Sequence, residues 1–220
     1  LKEIHVQKIN SKGKIVILSS ILDAIEDLKK GKIVIVMDVE KRENEGDFLA
    51  LAENITAETI NFMIQYGRGL VCCPITRERA EQLGFQIMVS ENTESLKTAF
   101  TVSMDHISYK TGISAFERAD TVRAIANPES LPSDFRKPGH MFPLIAVDGG
   151  VLERPGHTEA GVDLAKLAGS FPAAVICEVI KDNGEMARLT DLKEFSITHK
   201  LKIITIKDLV TFLKENNSSY

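Results

Sequence analysis

The sequence predicts an α/β chain of the α+β kind: three layers, with a mixed, twisted sheet covered by helices on both faces. Three observations lead there. Short apolar runs recur along the chain, among them Ile33-Val34-Ile35-Val36-Met37, Phe48-Leu49-Ala50-Leu51-Ala52 and Ala173 to Ile180, and such runs are the mark of strands buried on both sides. Capped amphipathic segments stand between many of them. Several strands nonetheless follow one another with no helix between, so the sheet is mixed and not a purely doubly wound one.

In chain order, residues 1–18 read as an N-terminal arm, extended over Ile15-Val16-Ile17-Leu18, and residues 19–220 as a single domain. Ser19 and Ser20 can cap a helix with Ile21, Leu22, Ile25 and Leu28 on one face, which Gly31 stops. The strand at 33–37 leads through an acidic loop to the run at 48–52. Thr56 caps a helix that turns Ile60, Met63 and Ile64 inward. Leu70 to Cys73 is a strand, and Arg77 to Leu83 a charged helix ended by Gly84. Phe85 to Val89 and Ala99 to Met104 read as strands around a polar, mobile stretch at 90–98. Ser114-Ala115-Phe116-Glu117 is a capping box that opens a helix running to about Pro128. Residues 127–140 read as a loop, Met141 to Val147 as a strand and Gly149-Gly150 as a turn. Thr158 is expected to cap a helix with Val162, Leu164, Ala165 and Leu167 inward. The strand Ala173 to Ile180, a turn at Asp182-Asn183-Gly184, a helix, the strand Ile203 to Ile206 and a last helix complete the chain.

The 220 residues suit one large domain, and the 44% hydrophobic and 26% charged content is that of a soluble globular protein. No apolar run approaches the ~20 residues of a membrane span, and no signal peptide is visible. A net charge of -4 without a basic stripe argues against a nucleic-acid binder. Cys72, Cys73 and Cys177 form no disulfide framework and no zinc motif. They read as small core residues in a reducing, cytoplasmic compartment.

Chemistry concentrates at the ends of elements. Asp38-Val39-Glu40-Lys41-Arg42-Glu43-Asn44-Glu45-Gly46-Asp47 packs five carboxylates and two cations into ten residues. Like charges at that density call for neutralisers: a hard cation for the carboxylates, an anionic substrate for Arg42. Glu153-Arg154-Pro155-Gly156-His157-Thr158-Glu159 opens a helix, whose free N–H groups suit an anion, while His157 can serve a metal. The plain alternative there is a capped helix with a surface histidine. Arg136-Lys137-Pro138-Gly139-His140 fixes the backbone before an imidazole able to exchange protons near neutral pH, or it is a solvated basic loop. Glu178 stands among apolar neighbours, where a carboxylate needs a partner unless the strand is at an edge. Thr111-Gly112-Ile113-Ser114 reads as a strand-to-helix turn. Together these groups fit metal-assisted chemistry on a small phosphorylated molecule.

Arg42-Glu43-Asn44-Glu45-Gly46-Asp47, Thr111-Gly112-Ile113-Ser114-Ala115, Arg136-Lys137-Pro138-Gly139-His140 and Arg154-Pro155-Gly156-His157-Thr158-Glu159 occur in that order. In these motifs the chain resembles the 3,4-dihydroxy-2-butanone 4-phosphate synthases of riboflavin biosynthesis, over roughly residues 19–214. The resemblance implies a lyase that turns D-ribulose 5-phosphate into L-3,4-dihydroxybutan-2-one 4-phosphate and formate, using two Mg2+ or Mn2+ ions per site. It implies Glu43 and His157 as metal ligands. Arg42, Glu43, Asp47, Arg154, Pro155, Gly156, His157, Thr158 and Glu178 are implied as substrate contacts, and His140 and Glu178 as the groups essential to catalysis. Asp47 and Glu45, with Glu178, are candidate bases. Asp38, Glu40 and Lys41 are left as solvated neighbours. The resemblance further implies a homodimer with interface active sites and, in some relatives, fusion to a GTP cyclohydrolase II domain.

The chain departs from the family pattern at Ser108-Tyr109-Lys110, where threonines are common, at Glu117, usually Asp, and at Ile145, often arginine. The nearest rival is another metal-dependent sugar-phosphate enzyme, an isomerase or aldolase, which would release no formate.

Overall fold

The structure, a computed structural model, describes residues 6–9, 15–39 and 41–216. Strands β1 (Val6–Ile9) and β2 (Ile15–Leu18) form an antiparallel pair of their own within the expected arm. The rest of that arm lies outside the described residues.

The domain is built on a seven-stranded sheet. Its members are β3 (Val34–Met37), β4 (Gly46–Leu51), β5 (Cys72–Ile75), β6 (Met104–His106), β7 (Phe135–Ile145), β8 (Ala174–Glu178) and β9 (Lys202–Thr205), in the order β6-β7-β5-β8-β4-β3-β9. The β3–β9 and β5–β7 pairs are parallel and the others antiparallel, the mixed sheet expected from strands that follow one another without helices.

Alternate side chains explain the continuous apolar runs. Ile35, Met37, Phe48, Ala50, Val175 and Cys177 point into one core, and Val34, Val36, Leu49, Leu51, Ala174 and Ile176 into the other. The first core is closed by α2 (Ala57–Phe62), α3 (Arg77–Gln82), α4 (Ala115–Ala126) and α7 (Leu189–His199). The second is closed by α1 (Ile21–Lys29), α5 (Gly150–Glu153), α6 (His157–Leu167) and α8 (Ile206–Asn216). Both faces are therefore covered, which is the three-layer arrangement.

Local signals held at several ends. Ser20 and Thr56 accept from Asp23 N–H and Thr59 N–H, Ser114 and Glu117 complete their capping box, and Gly31 stops α1 at φ +74°. Three expectations need correction. The segments 85–89 and 99–104 are not strands: an isolated bridge joins Ile87 to Thr101, another joins Phe100 to Leu144 of β7, and β6 begins at Met104. Ile87, Met88 and Val89 are exposed, so their apolar alternation has no buried face to dock on. The expected loop at 127–140 belongs to β7 from Phe135 onward, and Phe135 and Arg136 pair with β6. The α6 N-cap is Gly156, not Thr158, and His157 and Thr158 already lie in the first turn. The turn expected at Gly149-Gly150 is present, with the Gly150 N–H on the Val147 carbonyl at 3.0 Å, and Gly150 also opens the one-turn helix α5.

Candidate active site

Antiparallel pairing brings the C-terminal end of β3, the start of β4 and the end of β8 together at one end of the sheet's interior strands. Asp47 and Glu178 are direct cross-strand partners there, so two carboxylates from distant parts of the chain sit side by side. The N-terminus of α6 lies over the same strand ends and adds His157. The result is a cavity of about 180 Å3 whose polar wall is Arg42, Glu43, Glu45, Asp47, Glu94, Thr98, His157, Thr158 and Glu178. Its apolar wall is Cys72, Phe100, Leu144 and Ile176.

The acidic loop is folded around Asp38. That side chain is almost fully buried, accepts the Glu43 and Glu45 backbone N–H groups at 2.9 Å each, and takes a guanidinium contact from Arg42 at 3.2 Å. Asp38 is thus no solvated neighbour; it is the post on which the loop is wound. Asn44 takes the left-handed conformation, φ 55°, and the Arg188 guanidinium clamps the Glu43 and Asn44 carbonyls from outside. Arg42 pairs with Glu43 as well as Asp38.

His157 is buried, and its orientation is fixed. Nε2–H donates to the Val36 carbonyl at 3.0 Å, which leaves Nδ1 turned towards Glu43 at 3.7 Å. One donor atom from each of Asp38, Glu43 and His157 lies within 4.8 Å of the others. A metal-ligating histidine is characteristically held in this way, with its second nitrogen bonded to a backbone carbonyl. Asp47 Oδ1 is buried without a hydrogen-bond partner among the described residues and lies 3.8 Å from His157 Nε2. Carboxylate oxygens with one imidazole suit Mg2+ or Mn2+, and an orphaned buried carboxylate oxygen beside them fits a cation or a ligand that answers it.

The electrostatics say the same. Burial, with the neighbouring Glu178, Glu43 and Glu45 carboxylates outweighing His157, pushes Asp47 up to about 7. For His157 burial opposes the charged form, yet Asp47, Glu43 and Asp38 overcome it and lift the imidazole to about 9. The His157 imidazole beside it and the charge of Arg42 hold Glu43 below the usual range against its partial burial. Glu45 is raised by burial and by the Glu43 charge. A site that concentrates protons this strongly on one imidazole is a site where a divalent cation can replace them.

Glu178 is only half-buried, because β8 ends there; its Oε2 accepts the Leu70 N–H at 2.8 Å. Gly69 makes that approach possible: a Cβ there would stand 2.5 Å from Glu178 Oε2 and 2.7 Å from its carbonyl oxygen. Gly156 is similarly crowded, with a would-be Cβ 2.6 Å from Arg154 Nη1 and 2.8 Å from Glu159 Oε2. Arg154 does not point freely into the cavity. It pairs with the buried Glu159 at 2.6 Å and ties down the 90–98 stretch through Thr98 Oγ1 and the Leu96 carbonyl. Pro155 lies in the short link between α5 and α6.

Four sequence-predicted residues do not line the cavity: Arg154, Pro155 and Gly156, which lie just before α6, and His140, which stands apart on β7. The half-exposed His140 ring is paired with Asp105 of β6. Sequence reasoning also missed Gly69, Glu94, Thr98, Asp105 and Arg188. Of these only Asp105 carried a positional signal, a carboxylate directly after a predicted strand; Glu94 lay in the middle of a polar stretch.

Fold and site define a class: a three-layer α/β protein with a carboxylate–imidazole pocket suited to a divalent cation at the ends of its central strands. A family profile described as 3,4-dihydroxy-2-butanone 4-phosphate synthase matches residues 22–212. The chain is 61% identical over 196 residues to the riboflavin biosynthesis protein RibBA of Bacillus mycoides (strain KBAB4), covering 89% of this chain and 49% of that protein. It therefore spans about half the length of the curated relatives it matches. Among solved structures, a 3,4-dihydroxy-2-butanone 4-phosphate synthase in complex with two magnesium ions superposes with a TM-score of 0.88 at 40% identity, over 92% of this chain and all of that one. RibBX, a two-domain synthase from A. baumannii, superposes at 0.86 with 48% identity, over 89% of this chain and 58% of that one. The chain belongs to the 3,4-dihydroxy-2-butanone 4-phosphate synthase family.

Proposed function

We propose that this chain converts D-ribulose 5-phosphate to L-3,4-dihydroxybutan-2-one 4-phosphate and formate, a lyase step of riboflavin biosynthesis carried out in the cytoplasm. The observation that carries the reading is the His157–Glu43 arrangement, an imidazole whose Nε2 is committed to Val36 and whose Nδ1 faces a carboxylate in a cavity sized for a small polar molecule. Glu43 and His157 would hold the cation, two Mg2+ or Mn2+ ions per site by likeness to the magnesium complex of the relative. When bound, a divalent ion supplies Lewis acidity that draws electrons from the ketone and hydroxyl oxygens of the sugar and so acidifies the neighbouring C–H.

The residues of the chain divide the remaining work. Asp47, lifted to about 7 by burial, has the proton affinity to take the carbon-bound proton of the ketose, with Glu45 and Glu178 at hand for later transfers. The α6 N-terminus, with the Thr158 hydroxyl and the nearby Arg42, offers positive potential for the phosphate. Arg154 acts there indirectly: anchored on the buried Glu159, it holds Thr98 in the cavity wall. Loss of the C1 hydroxyl needs an acid, which we assign to His140. Because that ring lies outside its own cavity and exposed, the assignment implies a homodimer in which each protomer presents His140 to its partner's site. By the same family resemblance a GTP cyclohydrolase II domain would be joined to this one, and the RibBA relatives, about half of whose length is matched, leave room for a second domain.

The test is formate release on incubation with D-ribulose 5-phosphate. Formate appears with Mg2+, stops with a chelator, and is lost in Glu43→Gln and His157→Ala, both still folded. Activity in both variants would refute the metal assignment. Isomerised or cleaved sugar without formate would favour an isomerase or aldolase.

A further inference from the structure

The β6–β7 ladder contains an irregularity that centres on one carboxylate. Met104 pairs with Met141, but the next residue, Asp105, pairs with Arg136. Residues 137–140 are therefore left out of the ladder and arch over Asp105. Two glycines make room for the arch. A Cβ on Gly139 would stand 2.4 Å from the Asp105 backbone nitrogen, and one on Gly112, at φ +74°, would stand 2.1 Å from the Asp105 carboxylate. The Gly139 N–H is taken up by Ser103 Oγ at 3.2 Å. Inside the arch, Asp105 holds His140 twice: Oδ1 accepts the His140 backbone N–H and Oδ2 meets ring Nδ1, both at 2.8 Å. The carboxylate is 11% exposed and the imidazole 45% exposed, and no group among the described residues bonds Nε2.

We propose that Asp105 is a positioning residue for the reaction: it fixes His140 as the Nδ1–H tautomer, so that Nε2 is the atom turned outward, which takes up a proton from solvent and, as the imidazolium still bonded to Asp105, gives it to the leaving hydroxyl. A carboxylate can only accept, so the ring nitrogen facing it must carry hydrogen. The backbone contact sets the ring's place, and the side-chain contact sets which nitrogen reacts. This rests on the assignment of His140 as the proton donor, and the experiment separates the two.

Asparagine is the informative substitution. In Asp105→Asn the Oδ1 can still accept the His140 backbone N–H, which spares the arch, while the amide NH2 now faces Nδ1 as a donor and forces the Nε2–H tautomer. The tautomer is read from 15N–1H correlations of the imidazoles; the chain has five histidines, and the spectrum of His140→Gln identifies the signal. Nδ1–H is expected in the unsubstituted protein and Nε2–H in Asp105→Asn, whose kcat for formate release falls at least about 100-fold with KM changed by less than about threefold. Nε2–H in the unsubstituted protein overturns the proposal, and that measurement stands even if Asp105→Asn does not fold. An active Asp105→Asn beside an inactive His140→Gln overturns the positioning role alone. Full activity in His140→Gln sinks the proton-donor reading, and the positioning role with it.

Discussion

Without a cation, stability should fall as pH rises from slightly acid to alkaline, and His157 should account for most of the fall. Its ordinary value is 6.5 and the fold lifts it to about 9. A group raised in this direction stabilises the protein fully below 6.5 and loses that contribution as pH rises through 9. The shift corresponds to about 3 kcal/mol. Asp47, raised from 3.8 to about 7, works in the same direction over a lower window. The two groups are coupled at 3.8 Å, so their effects overlap and do not add. For a chain of this size about 3 kcal/mol is roughly 6–12 °C in Tm between pH 6 and pH 9.5. The assay is thermal unfolding in chelator across that range, for the unsubstituted protein and for His157→Gln. Glutamine can keep the bond to Val36 but has no proton to lose, so the difference between the two curves isolates the imidazole. Mg2+ should then restore stability most at the alkaline end, since it needs a neutral imidazole and an ionised Glu43. A difference curve that is flat or rises between pH 6.5 and 9, or an Mg2+ effect that shrinks there, would refute the reasoning.

Two further outcomes follow from packing. Gly69→Ala places a Cβ against the backbone oxygen of Glu178 as well as its carboxylate, so the strand cannot simply give way; a loss of about 1–3 kcal/mol in urea unfolding and a marked drop in formate release are expected, and unchanged kinetics would show that Glu178 needs no such cradle. Ser114→Ala removes one arm of the α4 capping box, which stands away from the pocket, so about 1 kcal/mol of stability should go while kcat and KM hold; a kinetic effect would place that turn in the site.

The motifs made the chemistry legible because they are contiguous: Arg42 to Asp47 and Arg154 to Glu159 each bring several donors together by chain connectivity alone. The sheet's mixed character was legible too, from strands that follow one another directly. The sequence did not reveal Asp38's burial, since a carboxylate at a loop's edge reads as solvated until two backbone N–H groups are seen to converge on it. Nor could it show that Arg154 is engaged by Glu159 and Thr98, or that Gly69 makes room for Glu178 from more than a hundred residues away.

What the sequence by itself determined is the composition of the site and the alternation that buries both faces of the sheet, because side-chain chemistry and a period of two are local properties. What only the tertiary structure decided is proximity and tautomer. Antiparallel register sets Asp47 beside Glu178, α6 lays His157 Nε2 on the Val36 carbonyl, and the arch over Asp105 holds His140 away from its own cavity. These depend on backbone groups far apart in the chain meeting at hydrogen-bond distance, which no local pattern encodes.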